Sequence, residues 1–151
     1  MSPRWSFTRA SILAFPAHPE ILDISIEGTV VHGDKRGRIL GFPTANLAVD
    51  AVSAPLPADG VYCCQVHLED GSKLLGATCS IGLNPTFGDV TSTRVEVFIH
   101  DFEGDLYGQR LALRVLTRLR EMRRFETVAA LIAQTEEDVR RSRELLERVW
   151  R

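Results

Sequence analysis

Short segments of period-two alternation, tight turn signals between them, and a late switch to helical period predict a mostly β protein. The expected architecture is an antiparallel barrel with a helical C-terminal end packed on it. At 151 residues the chain is long enough for one domain with its own core, and 44% hydrophobic with 25% charged residues is ordinary globular composition. The formal net charge of −2 gives no general attraction to nucleic acid or to a membrane surface. No apolar run approaches the length of a membrane span.

Residues 1–20 show no sustained period and read as an N-terminal arm, with the domain running over residues 21–151. Arg4 and Arg9 precede a short apolar patch, but Pro16 and His18 interrupt it, so no secretory signal is expected. Ile24-Ser25-Ile26-Glu27 alternates and enters Gly28-Thr29-Val30-Val31, which predicts the first strand. A glycine-rich loop follows, then a short extended piece over Ala45 to Val49 and a proline-bearing loop ending in Asp59-Gly60. Val61 to Leu68 and Lys73 to Ile81 read as a hairpin about the turn Glu69-Asp70-Gly71-Ser72. A second rigid loop is expected over Gly82-Leu83-Asn84-Pro85-Thr86-Phe87-Gly88. In the strand Arg94 to His100, Val95, Val97 and Ile99 share one face, and Glu96, Phe98 and His100 share the other. Arg110 to Leu116 is the last strand, reached through Tyr107-Gly108-Gln109.

Beyond Arg118 the period becomes helical. Val128, Leu131, Ile132, Thr135, Val139, Ser142, Leu145, Leu146 and Val149 fall on one stripe, read as core packing. Thr127 is the expected N-cap, and Thr135 with Asp138 could open a second helix through a capping box. One kinked helix and two consecutive helices both fit. Cys63, Cys64 and Cys79 are an odd set without metal-type spacing, and neighbours 63 and 64 must face opposite sides of a strand. They read as reduced structural residues of a cytoplasmic protein.

Chemistry concentrates in the run from Gly28 to Asn46. Glycines at 28, 33, 37 and 41 let backbone approach a ligand closely, and Lys35, Arg36 and Arg38 place positive charge among them. Pro43 stiffens the chain ahead of Thr44 and Asn46, whose hydroxyl and amide oxygens could face one hard cation or a phosphate. This is not a Walker A loop, since G-x-x-x-x-G-K-[ST] is absent. A second basic cluster lies near Arg118 to Arg124. His32, His67 and His100 show no metal-ligand spacing and read as surface or core histidines.

With Gly41-Phe42-Pro43-Thr44-Ala45-Asn46, Ile81-Gly82-Leu83-Asn84-Pro85-Thr86-Phe87, Val95-Glu96-Val97 and Asp105-Leu106-Tyr107-Gly108 in this order, the chain resembles the riboflavin kinases from about Ile24 onward. The resemblance extends to the kinase domain of bacterial bifunctional riboflavin kinase/FAD synthetases. It implies a six-stranded antiparallel Greek-key-type β-barrel with a C-terminal α-helix or helices. It also implies transfer of the ATP γ-phosphoryl group to the ribityl 5′-hydroxyl of riboflavin, giving FMN and ADP.

By the same resemblance, Thr44 and Asn46 hold Mg²⁺ and nucleotide phosphates, and Glu96 is the catalytic acid residue that accepts the hydroxyl proton. Gly33, Lys35, Gly37, Arg38, Gly41, Pro43 and Tyr107 complete the expected nucleotide site. Arg120, Met122, Phe125 and Asp138 belong to the segment expected to close over the flavin. Read from the residues alone, Glu96 is an outward strand carboxylate, although Phe98 and His100 on its face favour a cavity wall. Tyr107 fits an adenine pocket and a packed strand start equally well.

Two departures bear on the flavin contacts. Phe98 stands where the family often has His, and in Arg120-Glu121-Met122 the acid comes one residue early. The G-x-H-type nucleotide motif of an adenylyltransferase domain is absent, so FMN is the expected end product. The expected partners are riboflavin and ATP, with no nucleic acid and no membrane, and the expected state is a monomer. The competing readings are a flavin- or nucleotide-binding sensor module without turnover and a small barrel for single-stranded nucleic acid.

Overall fold

Period-two alternation here produces strands whose inward residues fill a barrel and whose outward residues are free to build a site. The computed structural model describes residues 21–31, 42–68, 74–85 and 91–149. The strands are β1 (Ile24–Val31), β2 (Ala45–Val52), β3 (Gly60–Leu68), β4 (Leu74–Pro85), β5 (Thr91–Ile99) and β6 (Arg110–Arg120), followed by one helix, α1 (Val128–Val149). All pairings are antiparallel, and the sheet closes in the order β1-β2-β5-β4-β3-β6. β2 pairs with β5 rather than β3, and β6 closes the sheet between β3 and β1, a Greek-key-type path. Closure removes both sheet edges. The arm, the loop from 32 to 41, the hairpin turn at 69–73 and residues 86–90 lie outside the described residues.

The alternation read from β5 holds. Val95, Val97 and Ile99 join Ile26, Leu47, Tyr62, Val66, Ile81, Leu113 and Val115 inside the barrel, while Glu96 and Phe98 are only partly buried. β3 is buried on both faces. Tyr62, Cys64 and Val66 point into the barrel, whereas Val61 and Cys63 pack with Leu116, Leu119 and the helix residues Leu145 and Leu146. The adjacent cysteines thus face opposite sides, and all three cysteines are free and buried. Burial pushes the Cys63 thiol up to about 12, which keeps it protonated and unreactive.

One expectation about the strands needs correction. Gly82 to Pro85 is not a loop but the end of β4, paired residue by residue with Arg94 to Thr91. That pairing satisfies backbone groups which a loop would leave to water. Of the two alternatives open for the helical region, the structure has one helix, because Thr135 does not cap. Its hydroxyl donates to the Leu131 carbonyl at 2.8 Å, a back-bond within a continuing helix, and Asp138 is engaged elsewhere. Thr127 is the cap, its hydroxyl accepting from the Ala130 amide at 3.0 Å.

The stripe is also not uniformly core. Val139, Ser142, Leu145 and Leu146 are buried, but Val128 is 61% exposed and Leu131 only half-buried. The first turns overhang an opening instead of lying on the sheet.

Gly28 sits where the β1–β2 register shifts, and a Cβ there would lie 2.2 Å from the Ala48 carbonyl oxygen. The obstacle is backbone of the paired strand, so it cannot swing aside. Gly28→Ala should therefore cost about 1–3 kcal/mol in urea unfolding. Gly82→Ala, whose nearest neighbour would be Met122 Cε at 3.7 Å, should cost well under that. Equal midpoints for the two variants would contradict this reading of the bulge.

Candidate active site

The outward residues of β4 and β5 do not face open water. A cavity of about 560 Å³ lies over them, roofed by residues 120–125 and the first half of α1. Its strand wall carries Thr78, Ser80, Arg94, Glu96 and Phe98, joined by Phe42 and Thr44 ahead of β2. Leu131, Thr135, Asp138 and Val139 contribute the helix side.

One ion pair holds the roof in place. Arg120, the last residue of β6, donates from Nε and Nη2 to the Asp138 carboxylate at 2.9 and 2.8 Å, and from Nη1 to the Glu121 carbonyl at 2.9 Å. The Arg120 and Asp138 side chains are only 13% and 3% exposed, and Gln134 donates a further hydrogen bond to the carboxylate at 2.9 Å. The guanidinium also lies 5.7 Å from the Phe125 ring centre, a cation–π contact. Strand end, connecting segment and helix are tied at one point.

Register places a polar row across three strands: Asn46 on β2 is opposite Glu96 on β5, which is opposite Ser80 on β4. The Glu96 side chain is 27% exposed, with Arg94 Nη1 at 3.6 Å. Arg94, Arg123 and Arg124 all line the cavity and give it positive potential suited to an anionic phosphate. Thr44 and Asn46 offer hard oxygen donors beside this carboxylate, and Asn46 is 8% exposed. That donor set fits magnesium, which keeps several waters and needs few protein oxygens. Among the described residues no group of three His, Cys, Asp or Glu side chains forms a metal cluster.

The next row is aromatic and hydroxylic. Thr78 pairs with Phe98, whose ring meets Phe42 edge-on at 5.6 Å and His100 at 5.9 Å. His100 is buried, with Nε2 2.7 Å from the Thr78 hydroxyl. Burial first, and then the neighbouring Arg143 cation, lower the imidazole from 6.5 to about 4, against an opposing pull from Asp101.

Of the residues expected from sequence, Thr44, Glu96, Arg120, Met122, Phe125 and Asp138 line this one cavity, and Asn46 stands next to Glu96 in the row. Arg120 and Asp138 grip each other, so they shape the roof as a pair. Met122 is 48% exposed and accepts a weak hydrogen bond from Ser80 at 3.9 Å. Pro43 is exposed just ahead of Thr44. Tyr107 lies elsewhere, 54% exposed in the turn before β6, its amide bonded to Asp105 at 2.9 Å. Gly33, Lys35, Gly37, Arg38 and Gly41 fall outside the described residues. The reading of the helical stripe missed Leu131, Thr135 and Val139 as cavity residues. Phe42, Thr78, Ser80 and Arg94 were also missed, although polar Thr78 and Ser80 alternating with buried Ala77, Cys79 and Ile81 were a readable sign of an outward wall.

Known proteins resemble this chain in the same region. The flavokinase family model, described as riboflavin kinase, matches residues 21–146. A bifunctional riboflavin kinase/FMN adenylyltransferase of Listeria monocytogenes is 42% identical over 112 residues, covering 74% of this chain and 35% of that protein. The RNA-binding riboflavin kinase RibR of Bacillus subtilis is 39% identical, over 76% of this chain and 47% of its own length. The chain therefore spans less than half the length of these curated relatives. The crystal structure of riboflavin kinase from Trypanosoma brucei superposes with a TM-score of 0.58 at 26% identity, covering 85% of this chain and 82% of that one.

Two outcomes are expected. Asp138→Ala leaves the Arg120 cation buried without its partner and should cost about 3–5 kcal/mol in urea unfolding. A loss under about 1 kcal/mol would show that the pair does not hold the roof. His100 stays neutral in the folded chain while an unfolded histidine binds a proton. The stability is therefore whole above pH 6.5 and falls as pH drops through the window from 6.5 to about 4. His100→Gln should flatten that part of the stability profile, and an unchanged slope would contradict the assignment.

Proposed function

Because the chain belongs to the riboflavin kinase family, we propose that it transfers the γ-phosphoryl group of ATP to the ribityl 5′-hydroxyl of riboflavin, giving FMN and ADP. The observation that carries this reading is the position of Glu96, a half-buried carboxylate in the wall of an aromatic-lined cavity with Asn46 and Ser80 on either side. Phosphoryl transfer asks for alignment and charge neutralisation more than for covalent chemistry from the protein.

Each residue has a share. Phe42, Phe98, Met122 and Phe125 give apolar and aromatic surface for the flavin ring system, with the Arg120–Asp138 pair holding its roof. Glu96 accepts the proton from the ribityl hydroxyl as its oxygen attacks phosphorus. Arg94 beside it limits the repulsion between carboxylate and phosphate. Thr44 and Asn46 are the residues that would hold Mg²⁺. When bound, the ion neutralises phosphate oxygens as charge develops on them. Backbone amides around Gly33, Gly37 and Gly41, with Lys35, Arg38 and Pro43, form the phosphate loop of this reading, and Tyr107 its adenine contact.

The same reading makes the protein a cytoplasmic monomer acting on small molecules. RNA binding is named of RibR, and this chain's net charge of −2 gives no general electrostatic attraction to nucleic acid.

Riboflavin incubated with ATP and Mg²⁺ and separated by chromatography should yield FMN. Glu96→Gln should lower kcat by roughly 10²–10⁴-fold while the KM for ATP stays near its original value. Near-normal turnover in Glu96→Gln would remove Glu96 as the base. Riboflavin bound with no FMN formed by the unmodified chain would replace the kinase with a flavin-binding sensor.

A further inference from the structure

Among the described residues, His100 is a buried group that phosphoryl transfer does not use, and it reaches the cavity wall through Thr78. It follows Ile99, the last residue of β5, and its amide donates to the Gly76 carbonyl at 2.9 Å. The ring lies in the gap that Gly76 leaves open, since a Cβ on that glycine would meet Leu146 Cδ1 at 2.6 Å and His100 Nδ1 at 3.0 Å. The imidazole is thus fixed between β4 and the helix. Outside it, Arg143 and Asp101 pair with each other at 2.7 Å.

Thr78 is the partner of that fixed ring and also a wall residue of the cavity, directly beside Phe98. A hydroxyl has one donor and two acceptor directions. The 2.7 Å bond to Nε2 occupies one of them and holds the rotor, leaving the rest of the group's capacity for whatever fills the cavity. Phe98 and Phe42 are apolar, so the Thr78 hydroxyl is the polar mark on an otherwise aromatic stretch of wall.

We propose that Thr78 is a specificity-determining contact for the hydrogen-bonding edge of a planar heteroaromatic ligand, with His100 as the positioning residue that fixes its hydroxyl. Resting on the reading of the cavity as the flavin site, this makes the isoalloxazine ring the group recognised. A site built around a fixed hydroxyl rejects ligands that leave it unpaired, whereas aromatic surface alone discriminates poorly among flat rings.

The test is riboflavin binding to the full chain, followed by quenching of flavin fluorescence without ATP. Thr78→Val keeps the shape and removes the hydroxyl, and should weaken riboflavin binding about tenfold. Thr78→Ser should stay within about threefold of the original chain, since the hydroxyl returns. His100→Gln should weaken riboflavin binding in the original background but add nothing to Thr78→Val, because it acts through Thr78. In the kinase assay the Thr78→Val effect should appear in the KM for riboflavin and not in the KM for ATP. A purely structural role would instead lower the melting temperature and leave the riboflavin constants alone.

Unchanged riboflavin affinity in Thr78→Val, or additive losses in the double variant, would overturn the proposal. If Thr78→Val does not fold, loss of riboflavin affinity in Thr78→Ser as well would overturn it, and so would unaltered affinity in His100→Gln. Riboflavin binding without FMN formation would defeat the kinase reading and leave this one standing. No riboflavin binding by the unmodified chain would defeat both.

Discussion

The site depends on the buried pair between Arg120 and Asp138. Removing two charges from water is expensive, and such pairs often add little net stability over an apolar contact of the same shape. Here the cost is offset by Arg120 hydrogen bonds to both carboxylate oxygens and to a backbone carbonyl, a bond from Gln134, and the Phe125 ring. What the pair contributes is location. It fixes the chain leaving β6 against the middle of α1, and the segment carrying Met122 and Phe125 is thereby held over the strands instead of spreading along the barrel. Without that tie the outer wall of β4 and β5 would be ordinary solvated sheet.

The barrel supplies the other half. Closure makes the inward face of every strand obligatory core, so the outward direction of the alternate residues is set with equal firmness. Val95 and Val97 are each 1% exposed, and Glu96 between them has no choice but the outer wall. The same logic on β4 sends Thr78 and Ser80 outward between Ala77, Cys79 and Ile81. A one-residue slip in β5 would exchange carboxylate for valine, and one in β4 would exchange the Thr78 and Ser80 hydroxyls for buried apolar side chains. The precision of the site is thus inherited from packing on the far side of the sheet.

Much of this was legible in the sequence, for physical reasons that differ by element. β5 announced itself because one face is core and the other is not, and Glu96 fell on the correct side by counting. Thr127 was readable as a cap because capping is local chemistry. By contrast, Thr135 followed by Asp138 has the local pattern of a helix start, yet Asp138 is taken by Arg120, 18 residues away in sequence. Val128 and Leu131 have the period of core residues, but periodicity cannot tell a face that meets a sheet from one that overhangs a cavity. Gly82 to Pro85 looked like a loop from its glycine and proline, and cross-strand pairing with β5 overrode both. The resemblance supplied the roles of Thr44, Asn46 and Glu96, which no period or spacing could assign.

The most direct measurement of the central claim is a crystal structure of the chain with riboflavin and MgADP. The account predicts the flavin ring between the β4–β5 wall and the Met122–Phe125 segment. It also predicts the ribityl 5′-hydroxyl within about 2.6–3.2 Å of the Glu96 carboxylate. A flavin bound at another face of the barrel, or a ribityl chain directed away from Glu96 in that complex, would contradict it.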